Sequence, residues 1–200
     1  MSKIDREQIV TTALELIVAD GESAVAMRPL AARLGVTPMA LYRHFTDRDA
    51  LLLALVEKVS EEIVIPAPGE TPRDTAAALA LCLHDFLVTH PWMIRLISTG
   101  RLASPAGLQF PEGFLTCARD AGLDDTAGFV FYRMMFATVL GQATMTSARG
   151  QREGTGTLPT EPVVGALPLV ASLSDRWPEL DAAATPTTVF TTAAALLPAS

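Results

Sequence analysis

The chain has 200 residues, half of them hydrophobic and 18% charged, with a formal net charge of −7. That length holds one large or two small domains with a sizeable core, and the apolar content excludes a disordered chain. No uncharged apolar run of 18 or more residues appears, which argues against a membrane span, and the polar opening MSKIDREQ is unlike a secretory signal. Strand signals are nearly absent, so the fold class expected is all-α. Apolar periodicity predicts helices over about 3–20, 27–34, 38–44 and 47–64, then a linker over about 65–70 (IPAPGE). Further helices are expected over about 72–89, 91–98, 106–121 and 125–148, a surface loop over about 150–162, and short helices near 163–173 and 186–197. Hydroxyl–proline pairs mark several starts: Thr37-Pro38, Thr71-Pro72, Ser104-Pro105 and Thr185-Pro186. Thr46-x-x-Asp49 and Thr71-x-x-Asp74 add two patterns of capping-box type.

The segment VAMRPLAARLGVTPMALYRHFTDRDALLLAL, residues 25–55, is the most informative. Leu30, Ala31 and Leu34 recur at helical spacing, and Gly35 breaks the pattern where a left-handed residue costs least. Thr37-Pro38 restarts it, with Leu41 and Phe45 available to anchor a second short helix. Two short helices around a tight turn make a helix-turn-helix, whose second member can lie in the major groove of DNA. The ionic residues from Ser23 to Thr46 are Arg28, Arg33 and Arg43, so this segment is net +3 and the remainder −10. A basic island in an acidic chain suits phosphate contact by one face.

Arg6, Ile9, Ala13 and Leu16, then Gly21, LAARLGV, ALYRHF and Leu51 together resemble the TetR (tetracycline-repressor) family DNA-binding domain. The resemblance is ungapped over about residues 5–55, and LYRHF (residues 41–45) is its most distinctive part. A looser likeness to the tetracycline-repressor-like C-terminal domain rests on DFLVTHPWM (residues 85–93) and Ala121-Gly122-Leu123. In one respect the chain departs from the family: Ala26-Met27 stand where a serine or threonine usually opens the second helix. The resemblance implies a helix-turn-helix DNA-binding domain at 1–48, a connecting helix over about 47–64, and a ligand-binding and dimerisation domain at 65–200.

Candidate DNA contacts follow from the helix-turn-helix. Thr37, Pro38, Met39 and Ala40 head the second helix, where side chains reach base edges; Met39 and Ala40 offer only apolar contact, for example to a thymine methyl. Tyr42 and His44 are candidates for phosphate and base-edge contact, against helix packing and ordinary surface exposure. Arg43 is expected to reach a guanine or a phosphate, Arg48 a phosphate, and Arg28 is the better candidate for a bidentate guanine contact. Lys3 and Arg6 are placed to lead an N-terminal arm towards backbone phosphates.

In the second domain Phe86, Trp92, Met93, Phe110, Phe114, Phe131, Met134 and Met135 read singly as core; together they suit an apolar effector pocket. Thr138 and Gln142 are the candidate polar contacts that orient a ligand there. The helix near 125–148 is apolar almost all round, so it is expected to pack both inward and against a second copy, joined by the helix near 186–197 in a two-fold four-helix interface. Cys82 and Cys117 read as buried thiols. His84 and His90 lack a third ligand at matching spacing, so neither a metal nor a cofactor is expected. The chain has no GxSxG, Walker loop, HExxH or GxGxxG after a strand. The reading is a homodimeric, effector-released regulator of double-stranded operator DNA, most naturally a repressor, in the bacterial cytoplasm and nucleoid-associated when DNA-bound. The alternative is an all-α small-molecule-binding or enzymatic protein whose helix-turn-helix no longer reads DNA.

Overall fold

The computed structural model describes residues 4–99, 104–150 and 167–199. Lys3 and most of the loop expected over 150–162 lie outside the described residues, as does the start of the helix expected at 163. The described residues form helices only: α1 (Arg6–Asp20), a 3₁₀ turn (Glu22–Ala24), α2 (Met27–Arg33), α3 (Pro38–Tyr42), α4 (Arg48–Ser60), α5 (Pro72–Thr89) and α6 (Pro91–Ser98), then α7 (Gln109–Asp120), α8 (Asp125–Gly150), α9 (Pro168–Leu173), a second 3₁₀ turn (Ser174–Arg176), α10 (Trp177–Ala183) and α11 (Pro186–Ala194). The chain groups into two compact units, Met1–Ile65 with Thr89–Gly113, and Pro66–Val88 with Phe114–Ser200. Residues 89–113, which the sequence pattern places in the second domain, thus group with the first unit. No single helix among the described residues is long and apolar enough to cross a membrane.

In the first unit α1 packs against α2 and α4, and α2 against α3. Helix α1 opens on a reciprocal capping box: the Gln8 amide N–H donates to Asp5 at 2.8 Å and the Asp5 N–H to the Gln8 side chain at 3.2 Å. The cap expected from Thr46 at the head of α4 comes instead from Asp47, which accepts from the Ala50 N–H at 2.7 Å. A carboxylate there also meets the positive end of the helix dipole. Helix α4 was expected to reach about residue 64 and stops at Ser60. The β-branched run Ile63-Val64-Ile65 precedes Pro66, and a residue before proline is steered away from the α region.

The second unit is organised by α8. Phe131, Met135, Val139 and Ala143 repeat every four residues and are buried, giving the helix one inward stripe. Helix α7 ends at Gly122, φ +84°, where the Leu123 N–H reaches the Ala118 carbonyl and the Gly122 N–H that of Arg119. That pair of bonds is a Schellman turn, and Asp124 then caps α8 by accepting from the Ala127 N–H at 2.8 Å. Helix α11 packs on α8 through Phe190 and Ala194. His84 of α5 joins the three helices: its Nε2 lies 3.2 Å from the Thr146 hydroxyl of α8, and its ring stands edge-on to Phe190 at 5.6 Å. Its Nδ1 is 2.8 Å from Asp85, so both ring nitrogens are engaged. At the other end of α5, the reciprocal Thr71/Asp74 cap forms as expected. The Arg73 guanidinium there donates to the Leu197 carbonyl just beyond α11.

The short helix α10 carries no apolar periodicity and was not expected. Pro178 lies in its first turn, where a missing N–H is harmless, and an exposed ion pair at 2.9 Å ties Asp181 to Arg149 of α8. Neither cysteine is bridged, and burial pushes the Cys117 thiol up to about 11. Phe190→Ala is expected to destabilise the chain by about 3–5 kcal/mol, because it empties a fully buried aromatic site on which α5, α8 and α11 converge. Chemical denaturation monitored by circular dichroism measures the loss.

Candidate DNA-binding face

The turn between α2 and α3 is closed by backbone geometry. Gly35 has φ +65°; its N–H donates to the Ala32 carbonyl and the Val36 N–H to that of Ala31, the paired bonds of a Schellman turn. A Cβ at Gly35 would meet open space, so the constraint is the left-handed backbone itself, which costs other residues about 1–2 kcal/mol. Thr37 stands at the N-cap of α3 with Pro38 at its first position, but its hydroxyl makes no capping bond. Helix α3 has five residues, fewer than the expected run to 44; Arg43 and His44 continue it as a turn whose His44 and Phe45 N–H groups both reach the Leu41 carbonyl. Leu41 and Phe45 are buried, and the Arg6 guanidinium lies 5.0 Å above the Phe45 ring. Arg6, expected to lead an arm towards phosphates, rests on this aromatic face.

Burial of Leu41 decides what α3 presents outward. At about 100° per residue, Met39 and Arg43, each two positions from Leu41, fall on the opposite side. Met39 is 68% exposed and Tyr42 48%, and Arg28, Thr37 and Arg43 are exposed as well. Pro38, Ala40 and His44 are half-buried. Helix α2 begins at Ala26 with no side-chain cap, as the missing hydroxyl predicts. The face therefore carries one apolar tip, one phenol and arginines, with no acid between Ser23 and Thr46.

Arg48 stands apart from this group. Its Nε donates to the Val25 carbonyl at 2.7 Å, and its Nη2 to the Glu22 carbonyl at 2.8 Å and the Glu22 carboxylate at 3.0 Å. Arg95 of α6 binds the same carboxylate through Nε at 3.0 Å and through Nη2. One nearly buried acid thus ties the start of α4, the turn before α2 and a helix 73 residues away in sequence. Sequence reading missed Glu22 and Arg95 because nothing local pairs them. Burial alone would raise the Glu22 carboxyl; hydrogen bonds and charge from Arg95 and Arg48 outweigh it and hold the group below its ordinary 4.5.

The residues proposed from sequence as a ligand lining divide between the units: Trp92, Met93 and Phe110 belong to the first, and Phe86, Phe114, Phe131, Met134, Met135, Thr138 and Gln142 to the second. Met93, Phe110, Phe114, Phe131 and Met135 are buried, Phe86, Trp92, Thr138 and Gln142 half-buried, and Met134 exposed. The Thr138 hydroxyl donates to the Met134 carbonyl at 2.8 Å, within its own helix. The buried Trp92 indole N–H and Ser147 hydroxyl have no hydrogen-bond partner among the described residues.

Glu22→Gln is expected to lower stability by about 1 kcal/mol at neutral pH, a modest value because Arg95 is largely exposed. The folded pKa is depressed, so the contribution is present above pH 4.5 and lost as pH falls through the lower folded value. Denaturation midpoints of wild type and variant, measured from pH 7 to 3, should therefore converge in acid.

The family model described as bacterial regulatory proteins of the tetR family matches residues 9–55, and the model of the tetracyclin repressor-like C-terminal domain matches residues 65–193. A transcriptional regulator of Saccharopolyspora erythraea is 33% identical over 120 residues, 60% of this chain and 51% of that protein. The class C tetracycline repressor protein of Escherichia coli is 45% identical over 74 residues, 37% of this chain and 32% of that protein. The chain spans about half the length, or less, of the curated relatives it matches. Among solved structures, a possible TetR family transcriptional regulator from Streptomyces coelicolor superposes with a TM-score of 0.73 at 26% identity, over 96% of each chain. With one family model covering its N-terminal helices and another most of the remainder, the chain belongs to the tetR family of bacterial regulatory proteins.

Proposed function

We propose that the chain is a homodimeric, effector-responsive repressor that binds a pseudo-palindromic operator. The observation that carries this reading is the outward face of α3: an exposed Met39–Tyr42–Arg43 surface on a helix held from behind by Leu41, inside a segment of net charge +3. Its likeness to a transcriptional regulator and to tetracycline repressors supports it. Each subunit places one α3 in the major groove, about 34–36 Å from its two-fold mate. Arg28, Thr37, Pro38, Met39, Ala40, Tyr42, Arg43 and His44 meet DNA; Arg48 shapes the face through Glu22 and the Val25 carbonyl. The DNA-binding domain is residues 1–48, and residues 65–200 carry the effector pocket and the dimer interface. No reaction is assigned to the chain, which acts in the bacterial cytoplasm and on the nucleoid when DNA-bound.

The dimer interface runs along α8. Away from its buried stripe lie Val130, Met134 and Met145, all exposed, with the small residues Ala137 and Gly141 and the charged Arg133 among them. A Cβ on Gly141 meets nothing within 4 Å, so this face is open to close approach by a second helix. Burying such a face against its own copy removes apolar surface from water and explains a helix that is hydrophobic on two sides. A small, largely apolar effector then releases DNA by reciprocal linkage, with a coupling of about 1–3 kcal/mol.

Selection from a random DNA library by the purified chain should return a two-fold symmetric motif, with affinity falling steeply as salt rises. Tyr42→Ala should weaken binding to that motif by about 5- to 150-fold, on the order of 1–3 kcal/mol, with dimerisation intact; unchanged affinity would remove Tyr42 from the interface. Gly141→Arg, which sets a charge in the α8 face, should yield monomers in analytical ultracentrifugation and lose operator binding with the dimer.

A further inference from the structure

The operator-binding reading leaves open which chemical feature of the bases α3 recognises, and the exposed face narrows it. From Thr37 to His44 the side chains are hydroxyl, ring, thioether, methyl, isobutyl, phenol, guanidinium and imidazole. No amide is present to pair with adenine N6 and N7, and no carboxylate to accept from cytosine N4. The side directly opposite the buried Leu41 carries Met39, 68% exposed, together with Arg43 one turn further on. An unbranched, polarisable thioether held in that position has one favourable partner in the major groove, the methyl group on C5 of thymine. A lone exposed apolar side chain is ordinary on a protein surface. Here it occupies the outer side of the helix proposed to enter the major groove, in a segment whose only charges are basic, a setting that suits duplex DNA as its partner.

We infer that Met39 is a specificity-determining residue that reads the 5-methyl group of a pyrimidine in each operator half-site. The inference rests on the operator-binding reading. The phosphate and guanine contacts supply affinity and register, and the methyl contact sets one base position of the half-site.

The test uses the full chain and the motif recovered by library selection, with deoxyuridine replacing thymidine at one position at a time. Deoxyuridine keeps every hydrogen-bonding group and removes only the methyl. Wild type is expected to bind about four-fold more weakly per half-site at one position, the worth of sheltering one methyl-sized group from water. Met39→Ala should bind the thymine and uracil forms equally, and Met39→Leu, which keeps the apolar volume, should retain most of the discrimination. Because the side chain is exposed, neither variant is expected to disturb folding. Equal binding of thymine and uracil operators by wild type at every position overturns the inference while leaving operator binding standing. Discrimination that survives in Met39→Ala overturns the assignment to Met39. Failure to recover any sequence motif overturns the operator-binding reading itself, and this inference with it.

Discussion

A five-residue helix is far below the length at which helix formation sustains itself in water, so α3 exists only because the rest of the first unit holds it. The restraints are few and identifiable. Burial of Leu41 and Phe45 sets which side faces inward, and the Schellman turn at Gly35 sets the angle at which the chain enters. The Asp47 cap starts α4 immediately afterwards. With these anchors in place, Met39, Tyr42 and Arg43 have no inward position available to them and must face solvent or a partner. The exposed chemistry of the face is a consequence of how its back is packed.

Electrostatics divide labour in the same region. Arginines 28, 33 and 43 lie in a stretch free of acid, and the acid that does approach, Glu22, is paired with Arg48 and Arg95 instead of facing the same surface. That pairing links α6 to the turn preceding α2 through one carboxylate. A hydrophobic contact at that point would tolerate sliding. Charge-assisted hydrogen bonds to one group are directional and give when the geometry is lost.

Helix α8 solves a different problem. Its inward stripe at four-residue spacing buries Phe131, Met135, Val139 and Ala143, while Val130, Met134 and Met145 stay exposed on its other sides in the single chain, beside Arg133. A helix with two apolar faces is a poor surface helix and a good central element of an assembly. Threonines dominate the exposed side of α11, whose phenylalanine and alanine are turned to α8. The four-helix interface proposed between two copies would therefore draw its apolar surface mainly from α8.

Local signals determined much of this protein. Helical class, the positions of α1 to α8 to within a few residues, the Gly35 turn, the reciprocal Thr71/Asp74 cap and the candidate residues of α3 all follow from periodicity, glycine and proline, because these act over four or five residues of chain. Where local signals competed, the sequence misled: Thr46 looked like the cap that Asp47 supplies, the β-branched run before Pro66 ended α4 early, and α10 had no periodicity to announce it. The tertiary structure alone decided which long-range partners meet. Arg48 reads as a phosphate ligand in sequence and is bound to Glu22 and two backbone carbonyls in the fold; Arg95 joins it from 73 residues beyond Glu22, and His84 gathers α8 and α11 around α5. Such pairings depend on which helix surfaces come to face each other, and no property of the chain within a single turn of helix encodes that.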